Sequence, residues 1–200
     1  MFLLAVSPIL TYIIASIHYI YKYRNENNKN DENNKNKLVV NFDYINSIIK
    51  NMIAQVLLIY LIKEPENYFN IYDIINIPPL LIINDLLFGG FHYLCHKYKF
   101  LWKYHSKHHT LTHSFLYGYN AQYSSILDHI LTSLLPFYLS AYIFNLSYVS
   151  MVIWFCFAEY NSVSSHLPFG YHSIHHTYPD VNYGTSLAIF DKIIHTVKYD

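Results

Sequence analysis

Five apolar stretches, each about as long as the ~20 residues an α-helix needs to cross ~30 Å of hydrocarbon, restrict what this chain can fold into. They occupy residues 2–23, 44–62, 74–96, 126–144 and 146–164. A segment that leaves water must satisfy its backbone hydrogen bonds internally, and for runs of this kind the solution is a helix. The expected fold class is therefore all-α, a multi-pass transmembrane helical bundle. Composition would not decide this, because 53% apolar residues suit a soluble core as well; the blocking of those residues does.

The first stretch ends in a tyrosine-rich, basic flank suited to the membrane interface. It lacks a positively charged leader and a small-residue cleavage site, so it is expected to be a retained helix and not a removed signal peptide. The third stretch carries Asn84 and Asp85 and is expected to be broken early by Pro78-Pro79. The fourth and fifth are joined at Asn145 with no room for a loop, which predicts a tight hairpin whose arms need not both cross fully.

Charge supports one orientation. Five of the thirteen Lys and Arg residues (Lys22, Arg24, Lys29, Lys35, Lys37) lie at the end of the first stretch or after it, Lys97, Lys99, Lys103 and Lys107 follow the third, and Lys192 and Lys198 follow the fifth. Lys50 lies within the second, and only Lys63 falls in a loop of opposite parity. The positive-inside rule then places the N-terminus in the lumen and the loops after the odd-numbered stretches in the cytosol.

Net charge is zero, which argues against a nucleic-acid footprint. Cys95 and Cys156 form no CxxC and read as plain buried thiols. The run NENNKNDENNKNK, residues 25–37, is of low complexity and is expected to be a solvated loop. The loop at 63–73 carries no catalytic pattern. Twelve of the thirteen histidines lie beyond Phe91, leaving only His18 before it. The chemistry belongs to the second half, and the first two helices read as anchor and scaffold.

Those histidines are patterned. HYLCH places His92 and His96 at i and i+4, neighbours on one helical face that can reach one metal. HSKHH adds His105, His108 and His109, and HSIHH adds His172, His175 and His176, each at i, i+3 and i+4. Neutral imidazole is a common ligand for zinc, iron and copper. Eight such rings exceed what one ion can use, so the count asks for two metals. Ordinary interfacial histidines would gain little from such crowding and would repel once protonated.

The boxes HxxxH, HxxHH and HxxHH, in FHYLCHKYKFLWKYHSKHH and YHSIHH, followed by NYGTSLAIFDKIIHT, resemble the fatty acid hydroxylase/sterol desaturase superfamily over about residues 84–199. The resemblance implies a non-haem, nominally di-iron, O2-dependent membrane enzyme of the endoplasmic reticulum, with a transmembrane stalk beneath a cytosolic histidine-rich helical cap. It divides the chain into N-terminal anchor helices with their low-complexity loop, 1–80, and a catalytic domain, 81–200. It also adds site residues. His166 resembles the family's additional ligand, and Asp85, two turns before His92, is expected to orient that imidazole. His129 is a further candidate ligand, although the position matching the family's histidine is Ser125. His113 and His195 match no box, and His195 stands where relatives often have glycine. Asp191 matches an acid expected to serve structure.

Attack on an unactivated C–H bond lies beyond side-chain acid–base chemistry, so the di-metal centre itself is the expected catalyst, with no separate acid or base. The expected cofactors are two iron ions, with zinc able to replace them in a purified sample, and O2. Expected substrates are sterols, sphingoid bases or fatty acyl chains, hydroxylated or, alternatively, desaturated. No Gly-rich dinucleotide fingerprint or haem domain is visible, so the resemblance implies separate cytochrome b5 and its reductase as electron donors. A histidine-rich metal transporter and an inactive scaffold are the alternatives from other classes.

Overall fold

The computed structural model describes residues 2–30, 42–61, 65–110, 118–167, 170–185 and 187–199. Residues 31–37 of the low-complexity run, Lys63 and His113 lie outside the described residues. Among those described the fold is all helical, with no strand. Four helical segments are long and apolar enough to cross a membrane: Phe2–Tyr19, Phe42–Leu61, Asp73–Lys97 and Ile126–Ile143.

Helix α1 (Phe2–Asn30) continues past the first apolar stretch into the low-complexity run, so the expected loop begins no earlier than residue 31. It packs along α7 (Tyr148–Ser165). Leu4 and Ala5 meet Met151, Trp154 and Ala158 at one end, and Tyr12, Ala15 and Tyr19 meet Val163 and Leu167 at the other. The two helices therefore run parallel. Small residues at the contact let the backbones approach closely, and the tyrosine hydroxyls of Tyr19 and Tyr160 hydrogen-bond at 2.8 Å.

Helix α3 (Asp73–Lys97) is continuous through Pro78 and Pro79, contrary to the expected break. Both prolines fall within the second turn, where few intrahelical bonds precede them, and the apolar helix gains its stability from packing further along. At its start, Asp73 Oδ2 accepts hydrogen bonds from Ser147 N (3.0 Å) and Ser147 Oγ (2.6 Å). The loop carbonyls Asn67 O and Tyr68 O accept from Tyr148 N and Val149 N. These bonds satisfy the open N–H groups at the start of α7.

The expected hairpin is present. Helix α5 (Ile126–His129), a π-turn (Ile130–Leu134) and α6 (Leu135–Ile143) form one arm, α7 forms the other, and Asn145 turns between them at φ 45°. Asn tolerates that left-handed conformation better than most residues.

Helix α2 (Phe42–Leu61) is apolar outside and polar inside. Ile45, Ile49, Ile53 and Leu57 are exposed, whereas Ser47, Asn51 and Gln55 are buried one turn apart. The buried stripe holds a non-helical stretch that enters the bundle around a 3-10 turn, Gly118–Gln122. Tyr44 OH donates to Asn120 Oδ1 (2.7 Å), Ser47 Oγ to Ser124 O (2.7 Å), and Asn51 Nδ2 to Gln122 O (2.8 Å). Irregular backbone at membrane depth persists only where protein groups satisfy it in this way.

Candidate metal centre

The remaining elements gather at the end of the bundle where α3 and α7 finish. They are α4 (Lys99–His105), a 3-10 turn (His108–Thr110), α8 (Tyr171–Thr177) and α9 (Ile189–Ile194). Together they bring nine of the histidines expected as ligands into two groups. The first holds His92, His96, His105, His109 and His175, and the second His108, His166, His172 and His176. Within each group the candidate ligand atoms all lie within 4.8 Å of one another.

The boxes are split between the groups by helical geometry. Each i, i+4 pair stays together (His92 with His96, His105 with His109, His172 with His176), while the i+3 residue, His108 or His175, goes to the other group. Residues i+3 and i+4 stand about 100° apart around a helix, so the HSIHH turn of α8 presents rings to two centres; in HSKHH, α4 ends at His105 and the 3-10 turn that follows carries His108 and His109. A common centre is therefore reached only by the i, i+4 members of each box.

In the first group Nδ1 of three rings is occupied. His92 Nδ1–H donates to Tyr183 O at 2.8 Å, His175 Nδ1–H to Val181 O at 2.6 Å, and His105 Nδ1–H to Asp128 Oδ1 at 2.7 Å. Their Nε2 atoms therefore carry bare lone pairs. Yet Nε2 of His105 stands 3.0 Å from Nε2 of His92, His96 and His109, and Nε2 of His175 stands 3.0 Å from His96 and 3.1 Å from His109. Facing lone pairs repel unless a cation lies between them. Ligands ~2.1 Å from one ion at right angles are separated by ~3.0 Å, so the spacing fits a metal.

The second group lies deeper. His108 Nδ1–H donates to Tyr123 O (3.1 Å) and His166 Nδ1–H to Ser162 O (2.7 Å), leaving their Nε2 atoms 3.2 Å apart. Both ring nitrogens of His176 and Nδ1 of His172 are buried without a hydrogen-bond partner. Buried polar atoms are normally paired, and a metal would supply what they lack.

Burial is the main cause that lowers the pKa of these rings, and repulsion from neighbouring histidines adds to it. His108 falls to about 4, His166 to about 3 and His109 to about 2, while His105, His172, His175 and His176 fall well below the ordinary histidine value. All are neutral at neutral pH, the form that binds metal.

Asp85 does not meet His92. Its carboxylate is fully buried and accepts from Thr185 N (2.8 Å), Thr185 Oγ1 and Phe190 N (2.8 Å). The imidazole instead takes a backbone carbonyl, so Asp85 acts one step further out, on the segment that carries that carbonyl. Asp191 completes the clamp. It accepts from Tyr183 N, Gly184 N, Thr196 Oγ1 and Tyr171 OH. The segment approaches α3 so closely that a Cβ on Gly89 would stand 2.6 Å from the Phe190 ring.

His129 is buried but belongs to neither group. The neighbouring Asp128 is the residue turned to His105, and one step along a helix swings the side chain about 100° away. His195 is exposed, at φ 59°, capping α9 in the left-handed conformation for which glycine is best suited. His18 is exposed on α1. Asp128 went unnoticed in the sequence, although an acid inside an apolar stretch is itself a signal of a paired role. Cys95 and Cys156 are free thiols, Cys95 buried beside His105 and Asp128.

Both groups reach one cavity. His92 and His105 line it from the first and His108, His166 and His172 from the second, with Phe88 and Phe137 among the apolar and Thr132, Ser133 and Asn161 among the polar residues of its wall. No curated protein and no solved structure matches the chain. The family model for fatty acid hydroxylase matches residues 77–196, a span that holds both histidine groups, the cavity and the Asp85–Asp191 clamp, and the chain belongs to that family.

Proposed function

We propose that the protein is an O2-dependent lipid hydroxylase that uses a histidine-ligated pair of irons to oxidise an unactivated carbon of a sterol, sphingoid base or fatty acyl chain. Family membership carries the coarser reading, a membrane oxidoreductase of the lipid hydroxylase/desaturase type, and the histidine groups fit a metal site. The observation behind the finer reading is that two groups of neutral imidazoles open onto a single cavity, whose remaining wall joins Phe88, Phe137 and Ala158 to polar side chains such as Thr132 and Asn161.

Bound iron would take up electrons from an external donor and supply the O2 chemistry that side chains lack. The chain's own residues do the positioning. Asp128 and the carbonyls of Tyr183, Val181, Tyr123 and Ser162 hold protons on the Nδ1 side of five rings, so that each presents Nε2 inward. Phe88, Phe137 and Ala158 give the cavity its apolar surface, among the polar side chains of Ser124, Thr132, Ser133 and Asn161. The charge distribution supports histidine boxes on the cytosolic face; a location in the endoplasmic reticulum and cytochrome b5 with its reductase as donors follow from the family resemblance.

The test is to reconstitute the iron-loaded protein in liposomes with cytochrome b5, its reductase and isotope-labelled sterol, ceramide or acyl lipid. Mass spectrometry should find a product carrying one oxygen from 18O2. A product short of two hydrogens and with no added oxygen would replace hydroxylation with desaturation, and the absence of any O2-dependent product would refute the enzyme reading.

A further inference from the structure

The two histidine groups meet the surface differently. The second is buried throughout, whereas His96 and His109 of the first are only partly buried. Trp102 links that outer group to solvent. Its ring centroid lies 5.0 Å from His96, 5.4 Å from His109 and 5.9 Å from His105, yet 36% of the residue remains exposed. One conjugated ring thus touches three candidate ligands on one side and solvent on the other.

The surface around it is cationic and unpaired. Lys97, Lys99 and Lys103 are exposed. Lys99, Trp102 and Lys103 stand at i, i+3 and i+4 on α4 and so share a flank of the helix. Lys107 has a carboxylate partner, Asp43, at 3.3 Å. Among the described residues no carboxylate pairs with Lys97, Lys99 or Lys103; Lys97 and Lys103 lie instead over the rings of Tyr93 and Tyr104. Exposed Tyr98, Phe100 and Tyr104 add an apolar component. Unpaired cations around exposed aromatics offer an acidic partner a surface of complementary charge.

We propose that the Trp102 face of α4, rimmed by Lys97, Lys99 and Lys103, docks an acidic one-electron carrier protein and that the indole lies on the electron path to the outer histidine group. This rests on the reading of the centre as a redox metal pair. In each cycle two reduced carriers would each lose one electron and the two metal ions would each gain one, with no bond formed or broken in this step. Lysines at the end of a membrane helix also suit anionic lipid headgroups. The indole packed on three candidate ligands is what favours the carrier, because a headgroup has no use for that contact.

The test uses the full chain, zinc-loaded and therefore redox-inert, in nanodiscs of zwitterionic lipid, with the soluble haem domain of cytochrome b5 as the probe. Charge reversal of rim residues acts on association and its salt dependence, so Lys99→Glu with Lys103→Glu should weaken the Kd by roughly tenfold or more, and high salt should weaken the wild-type complex similarly. In iron-loaded protein, Trp102→Leu should slow oxidation of the reduced haem domain in a single turnover by about tenfold or more with little change in Kd, and Trp102→Phe should recover part of the rate. Metal content and unfolding midpoint are measured for each variant, so that a misfolded protein is replaced by the Phe variant. An unchanged Kd in the lysine variant, lysine effects confined to phosphatidylserine vesicles, or an unchanged transfer rate in Trp102→Leu would overturn the proposal. Binding and electron transfer without any lipid product would count against the proposed function and leave this surface standing.

Discussion

His105 Nδ1 and Asp128 Oδ1 meet at 2.7 Å, joining α4 to the start of the α5–α6 arm with both side chains almost wholly buried. The contact fixes the tautomer of His105, whose Nε2 stands 3.0 Å from three other Nε2 atoms and so occupies the middle of the first group. Asp128 is itself steadied by Thr132, whose hydroxyl donates to Asp128 O at 2.9 Å across the π-turn. A π-turn widens a helix locally and recurs at functional sites. Here it follows directly on the carboxylate that positions a candidate ligand.

Replacing Asp128 by Asn keeps an oxygen near His105 but removes the carboxyl group that holds the ring's Nδ1. Partners of this kind are worth about 10–100-fold in metal affinity. Competition titration with a chromophoric chelator should show a loss of that order in the first group. Wild-type affinity in Asp128→Asn would mean that His105 is held by packing alone.

The lowered histidine pKa values set a pH dependence for the metal-free protein. A histidine with an unfolded value of about 6.5 and folded values such as about 4 for His108, about 3 for His166 and about 2 for His109 is neutral when folded and takes up a proton on unfolding in acid. Its contribution to stability is complete above about pH 6.5 and is lost progressively as pH falls through the folded values. The unfolding midpoint of the metal-free protein should therefore be level from pH 8 to about 6.5 and fall below that. Metal-loaded protein, with its Nε2 lone pairs occupied, should hold its midpoint to lower pH. A metal-free midpoint that rises between pH 6.5 and 5 would contradict this.

Helices and boxes were legible because both are local patterns: apolar runs of spanning length, and imidazoles at i and i+4. The order of turns along the chain also put His92, His105 and His172 at one end of the bundle. What the pattern could not carry was anything set by partners distant in sequence. Asp85, 100 and 105 residues away from its partners in sequence, binds Thr185 N and Phe190 N and not the nearby His92. The division of HxxHH between two centres depends on where α4 ends, since His108 follows it in a 3-10 turn. The buried stripe of α2 looks like scattered polar residues until Asn51 is seen holding Gln122 O.

Asp85 and Asp191 should be sensitive in a way that activity alone would not explain. Each is fully buried and accepts backbone N–H groups from the segment whose carbonyls, Val181 O and Tyr183 O, receive the Nδ1 protons of His175 and His92. Removing the acceptor strands those N–H groups at about 1–3 kcal/mol each. Asp191→Ala should lower the unfolding midpoint even in metal-free protein and, where protein survives, deplete the first group. Loss of metal with an unchanged metal-free midpoint would instead make Asp191 a direct participant in the centre.

Single histidine replacements should report the division of the boxes between the two groups. His175→Ala removes a ring from the first group and His172→Ala one from the second, although the two residues share a box and are only three positions apart. A ligand set reduced by one buried imidazole loses much of its affinity, so each variant should retain about one metal per chain where the wild type holds about two, with the vacated centre differing between them. His108→Ala should behave like His172→Ala, and both should lose turnover. His129→Ala should keep both metals, since its ring belongs to neither group. Metal analysis, with Mössbauer spectra of 57Fe-loaded protein to tell the five-histidine centre from the four-histidine one, reads the result. If His175→Ala and His172→Ala deplete the same centre, the i, i+4 division is wrong. If His129→Ala falls to one metal, the second group has a ligand that the geometry leaves outside it.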